Sequence, residues 1–320
     1  MLALLSLWLV GGVHLDAWAH HQFAVETFFT PWHGVLYAGF FAVAASLVAN
    51  IIYNIYQGKA WREALPAGYR LSLLGVLLFL LGGLGDMLWH LLFGIEVDVE
   101  ALLSPTHLLL GVGGALIVSG PARAAWRKGA RGQEGWALLP ALISLSLLLA
   151  VLGFFTAYAN PFADAFVART PPAGGEVRMA YQALGVAGIL LHSALTVGVM
   201  LAAVRRWALP AGSLTLVVGL AALLAVSVHG DYQLLPAAIL AGLFADLLNQ
   251  VLRPGVERPA AWRLFAFGVP AMLYALYFVT LALTGGLWWT IHLWTGVIVL
   301  AGTSGWLLSY AFLPPGRPSS

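Results

Sequence analysis

The chain has 320 residues, of which 61% are hydrophobic and only 9% are charged. Soluble globular domains carry about 25% charged residues, so this composition excludes a soluble enzyme, a disordered chain and a nucleic-acid-binding protein. The formal net charge of +2 gives no reason to expect a polyanionic partner. The absence of cysteine excludes disulfides, zinc or copper sites built on thiolates, and iron–sulfur clusters.

Apolar runs of about 20 residues, the length that crosses a bilayer as a helix, recur along the whole chain. We therefore predict an all-α transmembrane bundle that forms a single integral membrane domain over 1–320, with a short cytoplasmic tail at 313–320. The ten expected spans are 2–22, 30–55, 70–93, 104–121, 136–158, 179–204, 209–229, 232–252, 262–284 and 287–312.

The basic residues indicate an orientation for these spans. With ten spans both termini lie on one side, and 13 of the 15 Lys and Arg residues fall on that side. Cytoplasmic loops of membrane proteins are enriched in Lys and Arg, so we expect this side to be the cytoplasmic face of the inner (plasma) membrane. Only Arg169 and Arg178 fall on the outer face, where most acidic and histidine residues also lie.

Two stretches of the chain, 16–39 and 86–113, resemble each other. Three polar residues recur at an offset of 70, and a Pro-x-His segment recurs at an offset of 74 after four extra loop residues. We interpret this pattern as an internal repeat, with units of about 1–60 and 70–130, that makes two equivalent helical hairpins. The recurring residues are Asp16, His20, Glu26 and Thr30-Pro31-Trp32-His33 in the first unit, and Asp86, His90, Glu96 and Ser104-Pro105-Thr106-His107 in the second.

The spacing within each unit brings one acid and two imidazoles together. Asp and His four residues apart lie on one helical face, one turn from each other. Thr30 is a good N-cap and Pro31 suits the first helical position, so His33 is expected at the third position of the next helix. The helix N-terminus there disfavours imidazolium, and neutral imidazole is the form that binds metal. Candidate ligands are Asp16, His20 and His33, with Asp86, His90 and His107, and with Glu26 and Glu96 in the adjoining loops.

Oxygen and nitrogen donors without thiolate suit Cu(II), Zn(II), Fe(II) or Mn(II). The pattern Asp16-x3-His20-x12-His33 is similar to the copper-binding motif in the C subunit of particulate methane and ammonia monooxygenases. The resemblance covers about 18 residues, and the second copy departs from it with x16 in place of x12. It implies copper and oxygen chemistry with these three residues as ligands. Overall the chain also resembles a group of bacterial multi-span membrane proteins to which no activity is assigned.

Four further polar residues are candidates for secondary roles. His229 and Asp231 lie in a tight outer turn, His192 lies near mid-membrane, and Asp246 lies deep in a span within two turns of Arg253. Each also has a purely structural interpretation: a polar turn for His229 and Asp231, a core histidine for His192, and a structural ion pair for Asp246. A further alternative concerns residues 1–19, because Ala17-Trp18-Ala19 resembles a signal-peptidase site whose cleavage would remove Asp16.

The sequence leaves several functions open. We expect a membrane metalloprotein with oxidoreductase, monooxygenase-like chemistry, whose metal is copper and whose partner is a subunit or electron donor on the outer side. The alternatives are a transporter or receptor for a divalent metal, a haem protein with His33 and His107 as axial ligands, and a scaffold subunit of a membrane complex. No catalytic residue is assigned.

Overall fold

The structure is a computed structural model of the chain, and it describes residues 1–23, 28–94, 99–128 and 135–313. The described residues form α-helices joined by short turns, with no β-strand among them. The helices are α1 (Leu2–Gln22), α2 (Pro31–Tyr56), α3 (Arg70–Phe93), α4 (Glu100–Leu103), α5 (Pro105–Val118), α6 (Gly120–Lys128), α7 (Leu139–Phe155), α8 (Phe166–Arg169), α9 (Gly175–Arg206), α10 (Ser213–His229), α11 (Leu235–Leu252), α12 (Pro259–Leu283) and α13 (Ile291–Phe312).

Within the described ranges, nine helical stretches are long and apolar enough to cross a membrane, with α5 and α6 forming one of them. The chain is therefore an all-α polytopic membrane protein. The remaining expected span, 209–229, is shorter than predicted because its helix begins only at Ser213. Pro210 and Gly212, whose φ is 87°, precede that start. At 17 residues α10 is about 25 Å long, short of the ~30 Å hydrocarbon core.

The described chain divides into two compact units. Unit 1 comprises Met1–Tyr158 and Ser227–Gly230, and unit 2 comprises Ala159–Val226 and Asp231–Ser320. Unit 1 contains both repeats, and the two sets of candidate ligands lie within it. The assignment of 1–320 to a single membrane domain stays a prediction, and residues 314–320 of the expected tail lie outside the described residues.

Close glycine contacts show that the two hairpins of unit 1 pack in the same way. A Cβ added to Gly12 in α1 would lie 2.7 Å from Cα of Leu36 in α2. In the second hairpin a Cβ added to Gly82 in α3 would lie 3.0 Å from the backbone N of Leu110 in α5. The Cβ would overlap the backbone at Gly12 and make an unusually tight contact at Gly82, so glycine allows the close approach in both pairs of helices. Gly12 and Gly82 are separated by the same 70 residues as the acids, and Leu36 and Leu110 by the same 74 as the Pro-x-His segments.

A second glycine in each hairpin supports the same correspondence. A Cβ added to Gly39 would lie 2.9 Å from the backbone N of Leu9, and one added to Gly113 would lie 2.7 Å from that of Phe79. The offsets are again 74 and 70. The internal repeat therefore extends from the polar residues into the helix packing that holds them.

Unit 2 is built around a large aromatic and aliphatic core. Its fully buried side chains include Trp262, Phe265 and Tyr277 of α12. Small residues again allow close approach, since a Cβ added to Gly188 of α9 would lie 2.0 Å from the carbonyl oxygen of Ala159. The backbone at Ala159 therefore packs directly against α9.

Candidate metal centre

The helix starts that the sequence predicts are present in both hairpins. α2 begins at Pro31, and the Thr30 hydroxyl accepts a hydrogen bond from the backbone N–H of His33 at 3.2 Å. α5 begins at Pro105, and Ser104 caps it in the same way, accepting from the backbone N–H of His107 at 3.4 Å. Each cap fixes the first turn of its helix and thereby the position of the histidine in that turn.

The first site consists of Asp16 and His20 near the end of α1 and His33 at the start of α2. Oδ2 of Asp16 lies 3.7 Å from Nε2 of His20 and 3.3 Å from Nε2 of His33. The two imidazole centroids are 5.9 Å apart. One ligand atom from each of the three residues lies within 4.8 Å of the others, so the three can hold one metal ion.

The second site repeats this arrangement with Asp86 and His90 in α3 and His107 in α5. Oδ2 of Asp86 lies 3.3 Å from Nε2 of His90, and its Oδ1 lies 3.4 Å from Nε2 of His107. The imidazole centroids are 6.0 Å apart, almost the same as in the first site. The Asp86 carboxylate is buried, with 4% of its side chain exposed.

Hydrogen bonds on the far ring nitrogens direct Nε2 of the histidines toward the carboxylates. Nδ1 of His33 lies 2.5 Å from the carbonyl oxygen of Phe28, and Nδ1 of His90 lies 3.2 Å from that of Gly94. A carbonyl only accepts, so in the neutral ring the proton is on Nδ1 and Nε2 carries the lone pair. Metal-ligating histidines are usually held by such a bond on the other nitrogen. Nδ1 of His107 is held instead by the Ser104 hydroxyl at 2.7 Å.

The separations between ligand atoms fit a shared cation better than a direct ion pair. A charge-assisted N–H···O bond is about 2.7–2.9 Å long, whereas the four Nε2–carboxylate distances run from 3.3 to 3.7 Å. Two ligands bound tetrahedrally at 2.0–2.1 Å lie about 3.4 Å from each other. In the neutral rings of His33 and His90 that carry the proton on Nδ1, the Nε2 lone pair faces the carboxylate, an arrangement that a cation between them would stabilise. The residues present therefore fit a metal ion.

The two sites differ in the second oxygen of the carboxylate. In the second site the Thr106 hydroxyl donates to Oδ1 of Asp86 at 3.1 Å. In the first site the equivalent residue is Trp32, and Oδ1 of Asp16 is buried with no hydrogen-bond partner among the described residues. A buried unpaired carboxylate oxygen is costly, so Asp16 retains an oxygen that a cation can use.

The two sites lie side by side within unit 1. The Phe28 ring centroid lies 4.9 Å from that of His33 and 6.3 Å from that of His90, so these two imidazoles of different sites are at most about 11 Å apart, the sum of the two distances. His20 interacts electrostatically with His90 and His107 of the other site. The Tyr37 phenol, one turn beyond His33, interacts with both carboxylates.

The sequence did not predict the roles of Phe28, Tyr37 and Thr106. Of these, only Thr106 had a signal in the sequence, its place between Pro105 and His107.

The other predicted residues have different surroundings. Glu26 and Glu96 lie outside the described residues. Asp231 forms an ion pair with Arg169, whose Nη1 donates to Oδ1 at 2.6 Å, and it also accepts from Gln233 at 2.9 Å. His192 is buried in α9. His229 lies against His21 at the end of α10.

Asp246 serves as a helix cap. Its two oxygens accept hydrogen bonds from the backbone N–H groups of Leu214 and Thr215 at 3.1 and 2.9 Å, and from the Thr215 hydroxyl at 2.6 Å. The carboxylate thus satisfies the first turn of α10, where negative charge is favoured. These contacts, rather than a pair with Arg253, account for an acid at this depth.

Comparison with protein-family models, curated protein sequences and solved structures finds no match for this chain. The likeness to the monooxygenase C subunit therefore rests on the motif of the first site alone.

Proposed function

We propose that this protein is an integral membrane metalloprotein that binds two divalent transition-metal ions, one in each Asp-His-His site. The observation that carries the proposal is the duplicated geometry, in which one ring nitrogen from each of two imidazoles and one carboxylate oxygen converge twice within 4.8 Å. The shared glycine contacts of the two hairpins support a common role for the sites, because the same packing holds both sets of ligands.

We infer that the ion is Cu(II). Two imidazoles and a carboxylate suit several ions, and among divalent first-row metals such sites bind Cu(II) most tightly. The motif resemblance of the first site points to the same ion. Zn(II), Fe(II) and Mn(II) are the alternatives that metal analysis distinguishes.

The chemistry that this arrangement supports best is oxidoreductase, monooxygenase-like chemistry at an outward-facing site of the inner membrane. Among the described residues each site offers three protein ligands, the number with which catalytic metal sites keep a coordination position open for an exogenous molecule. A copper ion bound there supplies one-electron redox chemistry. The chain's residues would hold the ion and orient the imidazoles. Phe28 packs near the rings of His33 and His90, and Tyr37 packs near His33. An electron donor or partner subunit on the outer side is part of this proposal.

Two of the other functions have less support. Transport of a divalent metal needs ligands that continue through the membrane, and the deep Asp246 carboxylate is already used as the cap of α10. Haem ligation by His33 and His107 is disfavoured because each Nε2 faces a carboxylate at 3.3 or 3.4 Å. That spacing leaves no room for a porphyrin between them. A scaffold role for a membrane complex remains compatible with bound metal, and turnover assays distinguish it.

The direct experiment is elemental analysis of purified protein loaded with Cu(II) and dialysed. We expect two ions per chain in the unmodified protein, one in His33→Ala, one in His107→Ala and none tightly held in the double variant. His292→Ala is the matched control, because His292 is an exposed histidine at the start of α13 in unit 2. Negligible metal in the unmodified protein, or equal metal in all variants, would refute the proposal.

A further inference from the structure

A third pair of imidazoles lies outside the two sites. The ring of His21, in the last turn of α1, lies 4.2 Å from the ring of His229 at the end of α10, with 42° between the ring planes. Both residues are exposed. They are far apart in the sequence, so the fold of unit 1 brings them together rather than local spacing.

Two imidazoles in contact can offer two nitrogen donors to one ion. Imidazole is the commonest metal ligand in proteins and suits the same borderline ions as the two buried sites. Because both rings are exposed, water reaches an ion held by them. We expect such an exposed site to exchange its ion more readily than the more buried Asp-His-His sites.

The position of this pair next to the first site gives it a specific role. His21 directly follows His20, so their Cα atoms are about 3.8 Å apart. Of the first-site ligands, His20 is the most open, with 34% of its side chain exposed against 16% for Asp16 and 14% for His33. An ion entering the first site from solvent therefore approaches past His20, on the part of α1 that carries His21.

We propose that His21 and His229 form an exposed entry site that captures a divalent transition-metal ion and delivers it to the first site. The delivery of the ion to the first site rests on the proposed function, whereas its capture by His21 and His229 does not. An ion held beside its destination has an effective concentration in the millimolar range, far above the free concentration in solution. The entry site therefore raises the rate at which the first site fills without changing how tightly it binds.

The kinetic test uses Cu(II) buffered with glycine and follows quenching of tryptophan fluorescence in a stopped-flow instrument. Trp32, which is stacked on Phe23 and directly precedes His33, is one of the 13 tryptophans and contributes to this signal. We expect His21→Ala and His229→Ala each to slow filling of the first site at least threefold, with the final copper content unchanged at two ions. His292→Ala is the exposed control and should match the unmodified protein. Unchanged rates in His21→Ala and His229→Ala would overturn the inference.

An equilibrium test separates this inference from the proposed function. In a protein carrying His33→Ala and His107→Ala, we expect one weakly bound Cu(II) that is lost when His21→Ala is added. A weak ion that persists after His21→Ala, or no weak ion at all while the unmodified protein still binds two, overturns the entry site alone. A third outcome is that the unmodified protein holds no tightly bound copper but binds a weak ion that is lost in His21→Ala. That outcome would overturn the proposed function and leave His21 and His229 as a binding site. Thermal unfolding of each variant in micelles verifies that the exposed substitutions leave the fold intact.

Discussion

Replacement of Thr106 by Val should weaken metal binding at the second site and leave the first site unchanged. The Thr106 hydroxyl donates to Oδ1 of Asp86 at 3.1 Å, the same oxygen that lies 3.4 Å from Nε2 of His107. Valine has nearly the same shape as threonine but cannot donate, so the carboxylate loses the bond that orients it. Hydrogen bonds to charged groups contribute about 1.5–3 kcal/mol, and 1.4 kcal/mol is a factor of about ten in affinity. The expected loss is therefore about 10- to 100-fold, in line with other partners of metal ligands.

The assay is a Cu(II) titration against a competing chelator, performed in two backgrounds. In His33→Ala only the second site remains, and Thr106→Val should raise its Kd by that factor. In His107→Ala only the first site remains, and the same substitution should leave its Kd within twofold. Thr106→Ser keeps the hydroxyl and serves as the control that should retain affinity. Equal effects in both backgrounds, or no effect in either, would refute the assignment of Thr106 as the residue that orients Asp86.

Three further predictions follow from the packing, the buried polar groups and the ligand chemistry. Gly12→Ala should lower the free energy of unfolding by about 1–3 kcal/mol, because its Cβ would lie 2.7 Å from Cα of Leu36. At the adjacent Gly11 an added Cβ would meet open space, so Gly11→Ala should raise the free energy of unfolding by about 0.5–1 kcal/mol. Thermal unfolding in micelles measures both effects. Similar effects of the two substitutions would contradict the close approach of α1 and α2. Asp231→Ala should lower the free energy of unfolding by about 2–4 kcal/mol, because it removes the ion-pair partner of the partly buried Arg169. Tyr277→Phe removes a buried hydroxyl that has no partner among the described residues and should be neutral or stabilising. The opposite order of the two melting temperatures would contradict these assignments. Copper affinity should fall at acidic pH, because protons compete with the ion for the imidazole nitrogens of both sites, and a pH-independent Kd in chelator titrations between about pH 5 and 8 would exclude imidazole ligation.

The sequence was informative wherever a residue type has a strong local consequence. Thr30 and Ser104 before proline predicted the helix starts, and both act as caps in the structure. The offsets of 70 and 74 predicted equivalent hairpins, and the glycine contacts of Gly12 and Gly82 follow the same offsets at positions that were not part of the motif.

What the sequence could not supply depends on contacts between distant segments. Asp246 caps α10 through residues more than 30 positions away in the sequence, a contact that the sequence does not predict. The depth of Asp246 in its span therefore favoured an ion pair or a functional acid. The shorter α10 reflects Pro210 and Gly212, whose effect on the helix start a hydropathy run does not register. The adjacency of the two sites through Phe28 depends on how the hairpins pack, and periodicity within each hairpin carries no information about that packing.

X-ray absorption at the metal edge of the copper-loaded protein measures directly the atoms that surround each bound ion. We expect two imidazole nitrogens and at least one oxygen per ion at about 2.0 Å, and half as many copper-bound imidazoles per chain when either His33 or His107 is replaced by Ala. Copper surrounded only by water or carboxylate oxygens, with no imidazole scattering, would contradict ligation by the two Asp-His-His sites.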